Sequence, residues 1–130
     1  IRLHGIDAPE YRQSCTETSG KQIACGKSAR DALSKLIRAG TVNCKIIDRD
    51  RYGRQVSICK DGQLEINREM VRLGWAIAYR RHALNYVSAE REAKAAKRGI
   101  WAWRFEMPED YRAKNRAVHG STVGDVFKDE

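Results

Sequence analysis

The chain has 130 residues and a formal net charge of +8, with 25 lysines and arginines against 17 aspartates and glutamates. That length predicts one domain with a real core, and no apolar run approaches the roughly 20 residues needed to cross a bilayer as a helix. The charge favours a polyanionic partner such as nucleic acid, acidic polysaccharide or an anionic membrane surface. A surface rich in lysine and arginine that is simply solvated is the alternative.

The chain opens with "IRLHGIDAPE", whose apolar residues suit a β-strand over residues 1–6, followed by a loop over residues 7–24. The strand ends in two carboxylates, Asp7 and Glu10, and carries Arg2 among its apolar residues. One interpretation is a surface turn, because Asp and Pro are turn formers. The other is half of a metal and phosphate site, with the second half elsewhere in the chain.

Helices and strands alternate irregularly after this loop. This mixture is typical of an α+β fold rather than of a doubly wound parallel sheet. We expect the polar chain beyond Trp103 to be irregular and to lie on the surface or be mobile. In chain order, the predicted elements are a helix over 26–38, hairpin strands over 41–48 and 54–59, a short helix over 64–73, an apolar run over 74–79 and a basic helix over 86–98.

The four cysteines predict two disulfides. Cys44 and Cys59 are equidistant from the middle of the hairpin turn and therefore face each other on paired strands. Cys15 and Cys25 would then close the polar loop between them, and each bridge would add about 3 kcal/mol by restricting the unfolded chain. Two disulfides indicate an oxidising compartment, so the protein is expected to be secreted or periplasmic. Four reduced, buried thiols are the alternative, and zinc is disfavoured because no C-x-x-C pair occurs.

The hairpin tip "DRDRYGR" supplies a second arginine. Arg54 lies two residues before Val56, which shares a strand face with Ile58, so Arg54 should lie at the rim of the core-facing row. A desolvated guanidinium needs an anion. Asp7 and Glu10 could supply one internally, or a phosphate could supply it, because the planar guanidinium fork matches phosphate oxygens.

Four motifs in order, "IRLHGIDAPE", "DRDRYGR", "REMVRLGWAIAY" and "AKRGIW", resemble the staphylococcal nuclease (thermonuclease) family over residues 1–101. The resemblance implies a five-stranded OB-type barrel with three helices. We expect a domain over residues 1–103 and a polar C-terminal extension over 104–130. Some proteins of this type are named for exopolysaccharide (succinoglycan) biosynthesis, but nothing in these residues indicates carbohydrate chemistry.

The resemblance also implies a role for individual residues. The implied cofactor is calcium (Ca²⁺), which takes oxygen ligands. Residue by residue, it implies phosphate-binding catalytic arginines at Arg2 and Arg54, a general base at Glu10, a calcium-ligand carboxylate at Asp7, a calcium-ligand backbone carbonyl at Ala8, and nucleotide-pocket tyrosines at Tyr52 and Tyr79.

The implied activity is calcium-dependent hydrolysis of DNA and RNA phosphodiesters, with little sequence preference and a preference for single strands. The alternative is an inactive OB-type module that binds nucleic acid without cutting it.

The chain departs from the family pattern at its start. The family carries an upstream strand pair with a D-G-D-T-like segment and a second aspartate ligand, and this chain begins after that point, without Met. We therefore expect a fragment or processed protein that lacks the first strands of the barrel. For the oligomeric state, we expect a monomer, or a dimer in which a partner chain completes the barrel. Asp48 and Asp50 are candidates to replace the aspartate.

Overall fold

The computed structural model describes residues 2–38, 40–79 and 84–119. Within these ranges the protein is α+β, as predicted, with eight short strands, four α-helices and a 3₁₀ turn at Gly99–Ala102. The strands are β1 (Arg2–Leu3), β2 (Ile6–Asp7), β3 (Cys15–Thr16), β4 (Gln22–Ile23), β5 (Asn43–Arg49), β6 (Gln55–Asp61), β7 (Leu64–Glu65) and β8 (Ile77–Ala78). The helices are α1 (Cys25–Arg38), α2 (Ile66–Arg72), α3 (Val87–Ala95) and α4 (Pro108–His119).

The central sheet is built around β6. Strand β1 runs parallel to β6, while β5 and β7 run antiparallel to it, and β2 pairs with β8 and β3 with β4 in separate two-stranded ladders. The strand predicted over residues 1–6 is split, because Gly5 has a φ of +74° and turns the chain between β1 and β2. The strands of the described ranges do not close into the five-stranded barrel, and four α-helices replace the implied three.

The β5–β6 hairpin brings two predicted cysteines together through a bulge. Next to the turn, Arg49 lies opposite Gln55, and the bulge at Ile47 then shifts the register by one residue. Cys44 therefore lies opposite Cys59 and forms the predicted disulfide with it. Without the shift, Cys44 would lie opposite Lys60 instead of Cys59.

The buried face of β6 is not the predicted one. Ser57 and Cys59 are buried, whereas Val56 and Ile58 are only half-buried. The reason is helix α2, whose buried Asn67 accepts a hydrogen bond from the backbone N–H of Cys59 and donates one to the carbonyl of Ser57. The Val56–Ile58 row is left as the more open side of the sheet.

Buried apolar side chains form two clusters. One lies between β2, β8, α2 and α3, and the other surrounds the predicted Cys15–Cys25 disulfide, which is also formed. The second cluster consists of Cys15, Cys25, Ile77 and Ile100, with Trp75, Trp101, Trp103 and Phe105 packed against it. As a separate observation, no helix within the described ranges is long and apolar enough to span a membrane.

Residues 104–119 are not the irregular segment predicted: they include helix α4, and Phe105 packs against this second cluster. Thr16 and Arg104 exchange two backbone hydrogen bonds of 2.8 and 2.9 Å, and Pro108 is fully buried at the start of α4. Proline at the first helical position and acidic residues in the first turn are helix-start signals. The remainder of the predicted extension, residues 120–130, lies outside the described residues.

Candidate active site

The two predicted carboxylates lie at the end of β2. Asp7 is the last residue of this strand and is 5% exposed, and Glu10 follows after a buried proline. Strand β8 holds β2 in place, since Ile77 lies opposite Asp7 and the backbone N–H of Tyr79 donates to the carbonyl of Gly5 at 2.8 Å. The apolar run of residues 74–79 thus supports the strand that carries Asp7.

Arg112 of α4 joins the two carboxylates. Its Nη1 and Nη2 atoms each donate to one oxygen of Asp7 at 2.9 Å, and Nη1 also donates to Oε2 of Glu10 at 3.0 Å. Burial opposes the charged form of Arg112, but the hydrogen bonds and charges of Asp7 and then Glu10 outweigh it and raise the pKa of Arg112. The sequence suggested Asp7 and Glu10, or a phosphate, as the anionic partner of Arg2 and Arg54, and it did not indicate that Arg112 would pair with the two carboxylates.

Glu10 is also fixed through its backbone. The side-chain oxygen of Gln13 accepts the backbone N–H of Glu10 at 3.1 Å, and the Gln13 amide nitrogen donates to the carbonyl of Glu106 at 2.6 Å. On the other side, a Cβ atom at Gly26 would lie 1.8 Å from the Glu10 carbonyl oxygen, so only glycine allows α1 to start here. The start of α1 and the segment before α4 therefore meet at Glu10.

A cavity of about 250 Å³ is lined by residues of both this corner and α1. Arg2, Asp7, Ala8 and Glu10 contribute to its wall, and so does Arg30 of α1. Four of the residues singled out from the sequence therefore share one opening.

Arg54 lies on the same face of the sheet as Arg2. Arg2 is opposite Val56 in the parallel β1–β6 register, and Arg54 precedes Val56 by two residues. The Nε of Arg54 donates to Oδ2 of Asp50 at 2.7 Å, and both side chains are 20% exposed. Arg54 is thus partly buried in the row of Val56 and Ile58, which is the more open side of the sheet and not the core-facing row predicted, and its Nε is engaged by Asp50.

The Asp50 side chain closes the hairpin turn. Its Oδ1 accepts the backbone N–H groups of Tyr52 and Arg54, each at 2.9 Å. Burial alone would raise the pKa of Asp50, but the hydrogen bonds from Arg54 and Tyr52 hold that pKa below its ordinary value. Both oxygens of this carboxylate are therefore engaged within the turn.

The two predicted pocket tyrosines have different settings. Tyr52 lies at the hairpin tip and is 66% exposed, with the guanidinium carbons of Arg51 and Arg54 at 5.5 and 5.4 Å from its ring centre. Tyr79 is half-buried directly after β8. An exposed aromatic ring flanked by two guanidinium groups is able to stack on a nucleobase.

The donor chemistry at the end of β2 fits calcium. Ca²⁺ takes about six to eight oxygen ligands, and the Asp7 and Glu10 carboxylates and the Ala8 carbonyl are of this class. Among residues 2–38, 40–79 and 84–119 there is no group of three or more His, Cys, Asp or Glu side chains arranged to hold a metal. Water or substrate oxygens would have to complete the shell, and both Asp7 oxygens already accept hydrogen bonds from Arg112.

Comparison with known proteins gives a consistent result. The family model described as "Staphylococcal nuclease homologue" matches residues 1–103. The chain is 35% identical over 126 residues to the "Probable staphylococcal-like nuclease CAN3" of Oryza sativa subsp. japonica, covering 95% of this chain and 31% of that protein.

Two further relatives come from other kingdoms of life. The "Probable endonuclease LCL3" of Schizophyllum commune is 33% identical over 137 residues, covering 88% of this chain and 44% of the relative. An "Uncharacterized endonuclease" of Escherichia coli O157:H7 is 34% identical over 106 residues, covering 78% of this chain and 62% of the relative. The chain spans less than two thirds of the length of all three relatives. On the family match and these identities, the chain belongs to the staphylococcal nuclease family.

Proposed function

We propose that this chain hydrolyses phosphodiester bonds in DNA and RNA as a calcium-dependent nuclease with little sequence preference, acting preferentially on single strands. The observation that carries the proposal is the meeting of Asp7 and Glu10 at one cavity wall with Arg2. The names of the three relatives support nuclease activity. The family resemblance also implies that the mixed sheet belongs to an OB-type barrel.

Each residue has a chemical task in this proposal. Glu10 accepts a proton from the attacking water or orients that water. Arg2 and Arg54 stabilise the negative charge that develops on the phosphoryl oxygens. Asp7 and the Ala8 carbonyl would hold the metal.

Calcium, when bound, supplies polarisation of the phosphodiester and a place for water. Tyr52 and Tyr79 contact the nucleotide, and the exposed ring of Tyr52 offers a stacking surface without base selectivity. The positive net charge of +8 attracts the phosphate backbone independently of sequence.

Glu10→Gln tests the proposal. It removes the proton acceptor but keeps the size of the side chain, so cleavage should fall by about 10²-fold or more while the fold persists. Cleavage of a single-stranded oligonucleotide would be followed with calcium and with EDTA, for this chain and for a form extended at its N-terminal end. Glu17→Gln, in the β3–β4 hairpin where Glu17 accepts from Ser19 at 3.1 Å, is the matched control. Full calcium-dependent activity in Glu10→Gln would exclude the assigned role.

A binding module without catalysis is the second candidate function. The exposed Tyr52 ring with Arg51 and Arg54 close to it favours this candidate, because stacking and guanidinium contacts hold single strands without cutting them. Binding of the oligonucleotide that persists in EDTA, with no cleavage by either form after calcium is restored, would favour this candidate. Cleavage by either form would exclude it.

We also propose an extracellular or periplasmic location. Both cysteine pairs form disulfides, and disulfides persist in oxidising compartments. We expect to detect the protein outside the cytoplasm. We also expect that none of its four cysteines reacts with an alkylating reagent, because each is held in a disulfide.

A further inference from the structure

Arg112 supplies a positive charge to the candidate site from outside residues 1–103, the region matched by the family model. Its guanidinium contacts both oxygens of Asp7 and one oxygen of Glu10. The Arg112 side chain is 12% exposed and that of Asp7 is 4% exposed. A largely buried guanidinium that pairs with a carboxylate through two parallel hydrogen bonds makes a strong and geometrically specific contact. Asp7 therefore already has a cationic partner within the chain.

A divalent cation and this guanidinium need the same oxygen atoms. Calcium lies about 2.3–2.6 Å from its ligand oxygens, and the Arg112 nitrogens lie 2.9 Å from both oxygens of Asp7. Two positive charges held this close repel each other, particularly where little water screens them. A cation can bind Asp7 strongly only if Arg112 releases at least one of its oxygens.

Helix α4 is placed so that such a release is feasible. Its beginning is anchored by the buried Pro108 and by the hydrogen bond from Gln13 to the carbonyl of Glu106. Its later residues Ala113 and Arg116 are exposed, so the helix is not enclosed by the core. The Arg112 side chain can change partners without unfolding of a buried helix.

We propose that Arg112 is a positioning residue that competes with the divalent cation for Asp7. It holds Asp7 and Glu10 together when no cation is bound and lowers the affinity of these carboxylates for the cation. This inference rests on the proposed function, because the cation is the one that the nuclease proposal requires. It adds a determinant of metal affinity that lies in α4.

The test is a calorimetric titration of the whole chain with calcium chloride, without nucleic acid. Arg112→Gln removes the competing charge, so calcium should bind roughly tenfold more tightly than to the wild type. Arg116→Gln is the matched control, because Arg116 is exposed, lies one turn further along α4 and loses the same charge. Its affinity should stay within about twofold of the wild type. Equal affinities for the two variants, or weaker binding by Arg112→Gln, would overturn the inference.

Arg112→Lys keeps the test decisive if the glutamine variant does not fold, as judged by circular dichroism. Lysine retains the charge but not the planar two-point contact, so an intermediate gain in affinity of a few-fold is expected. An affinity equal to that of the wild type would then count against competition. Calcium binding that is undetectable in every variant would also overturn the inference.

The two proposals fail separately. Calcium-dependent cleavage together with equal affinities would remove the role of Arg112 and keep the nuclease. Tighter calcium binding by Arg112→Gln, without cleavage of DNA or RNA by the wild type, would remove the nuclease and keep the role of Arg112.

Discussion

Asp50 and Arg54 form a hydrogen-bonded ion pair at the tip of the β5–β6 hairpin. One carboxylate oxygen of Asp50 accepts two backbone N–H groups, and the other accepts the Nε of Arg54 at 2.7 Å. The same contact that shapes the turn therefore also orients an arginine proposed to bind phosphate. Turn geometry and the candidate site are linked through this aspartate.

Acid should weaken the hairpin through Asp50. Its pKa lies below the ordinary value of 3.8 in the folded protein, so its stabilising contribution is complete above that value and is lost as the pH falls through the folded pKa. From about pH 5 to about pH 2, the free energy of unfolding should decrease more for the wild type than for Asp50→Asn, which cannot titrate at this position. Urea unfolding at several pH values measures the difference.

Arg54→Gln should also flatten this profile, since it removes a hydrogen bond and a charge that lower the pKa of Asp50. If the free energy of unfolding depends on pH in the same way for the wild type, Asp50→Asn and Arg54→Gln, the Asp50–Arg54 pair does not contribute to the acid sensitivity of the fold.

Asn67→Ala should destabilise the protein by about 2–4 kcal/mol, because it leaves buried backbone groups without partners. The fully buried amide accepts the N–H of Cys59 at 3.1 Å and donates to the carbonyls of His4 and Ser57 at 3.0 and 3.1 Å. Chemical unfolding measures the loss. Asn43→Ala is the control, since Asn43 is exposed on β5 and its removal should change stability by less than about 0.5 kcal/mol. A similar effect of both changes would contradict the role given to Asn67.

Removal of the Cys44–Cys59 disulfide should lower the free energy of unfolding by about 3 kcal/mol. The bridge closes a loop with a sequence separation of 15, and it restricts the unfolded chain accordingly. The variant Cys44→Ala/Cys59→Ala would be compared with the wild type in urea, with and without dithiothreitol. The reductant should destabilise the wild type more than the variant, which retains only the Cys15–Cys25 bridge. A wild-type midpoint that does not respond to the reductant would show that the bridges contribute little.

The hairpin and its disulfide were predictable because their determinants are local. Symmetry about the turn was enough to pair Cys44 with Cys59, although the pairing depends on a bulge at Ile47 that the sequence did not indicate. The buried face of β6 was predicted wrongly for a related reason. Strand alternation separates two faces but does not say which one receives helix α2 and its Asn67.

Arg112 could not be found from local pattern. It lies in a polar segment 105 residues from Asp7. The chain has 25 lysines and arginines, and any of them is a candidate partner for the Asp7 carboxylate. Proline at 108 followed by Glu109 and Asp110 was the available signal for a helix here. Even that signal predicts α4 but not the carboxylates that α4 reaches.

The Gln13 contact has a consequence for where the protein can be shortened. The family match ends at residue 103, yet the Gln13 amide needs the carbonyl of Glu106, and the guanidinium on Asp7 comes from Arg112. A chain cut at the limit of the match would keep every residue that the family model covers and lose the guanidinium that pairs with Asp7. The smallest recombinant unit that keeps this corner intact extends through α4.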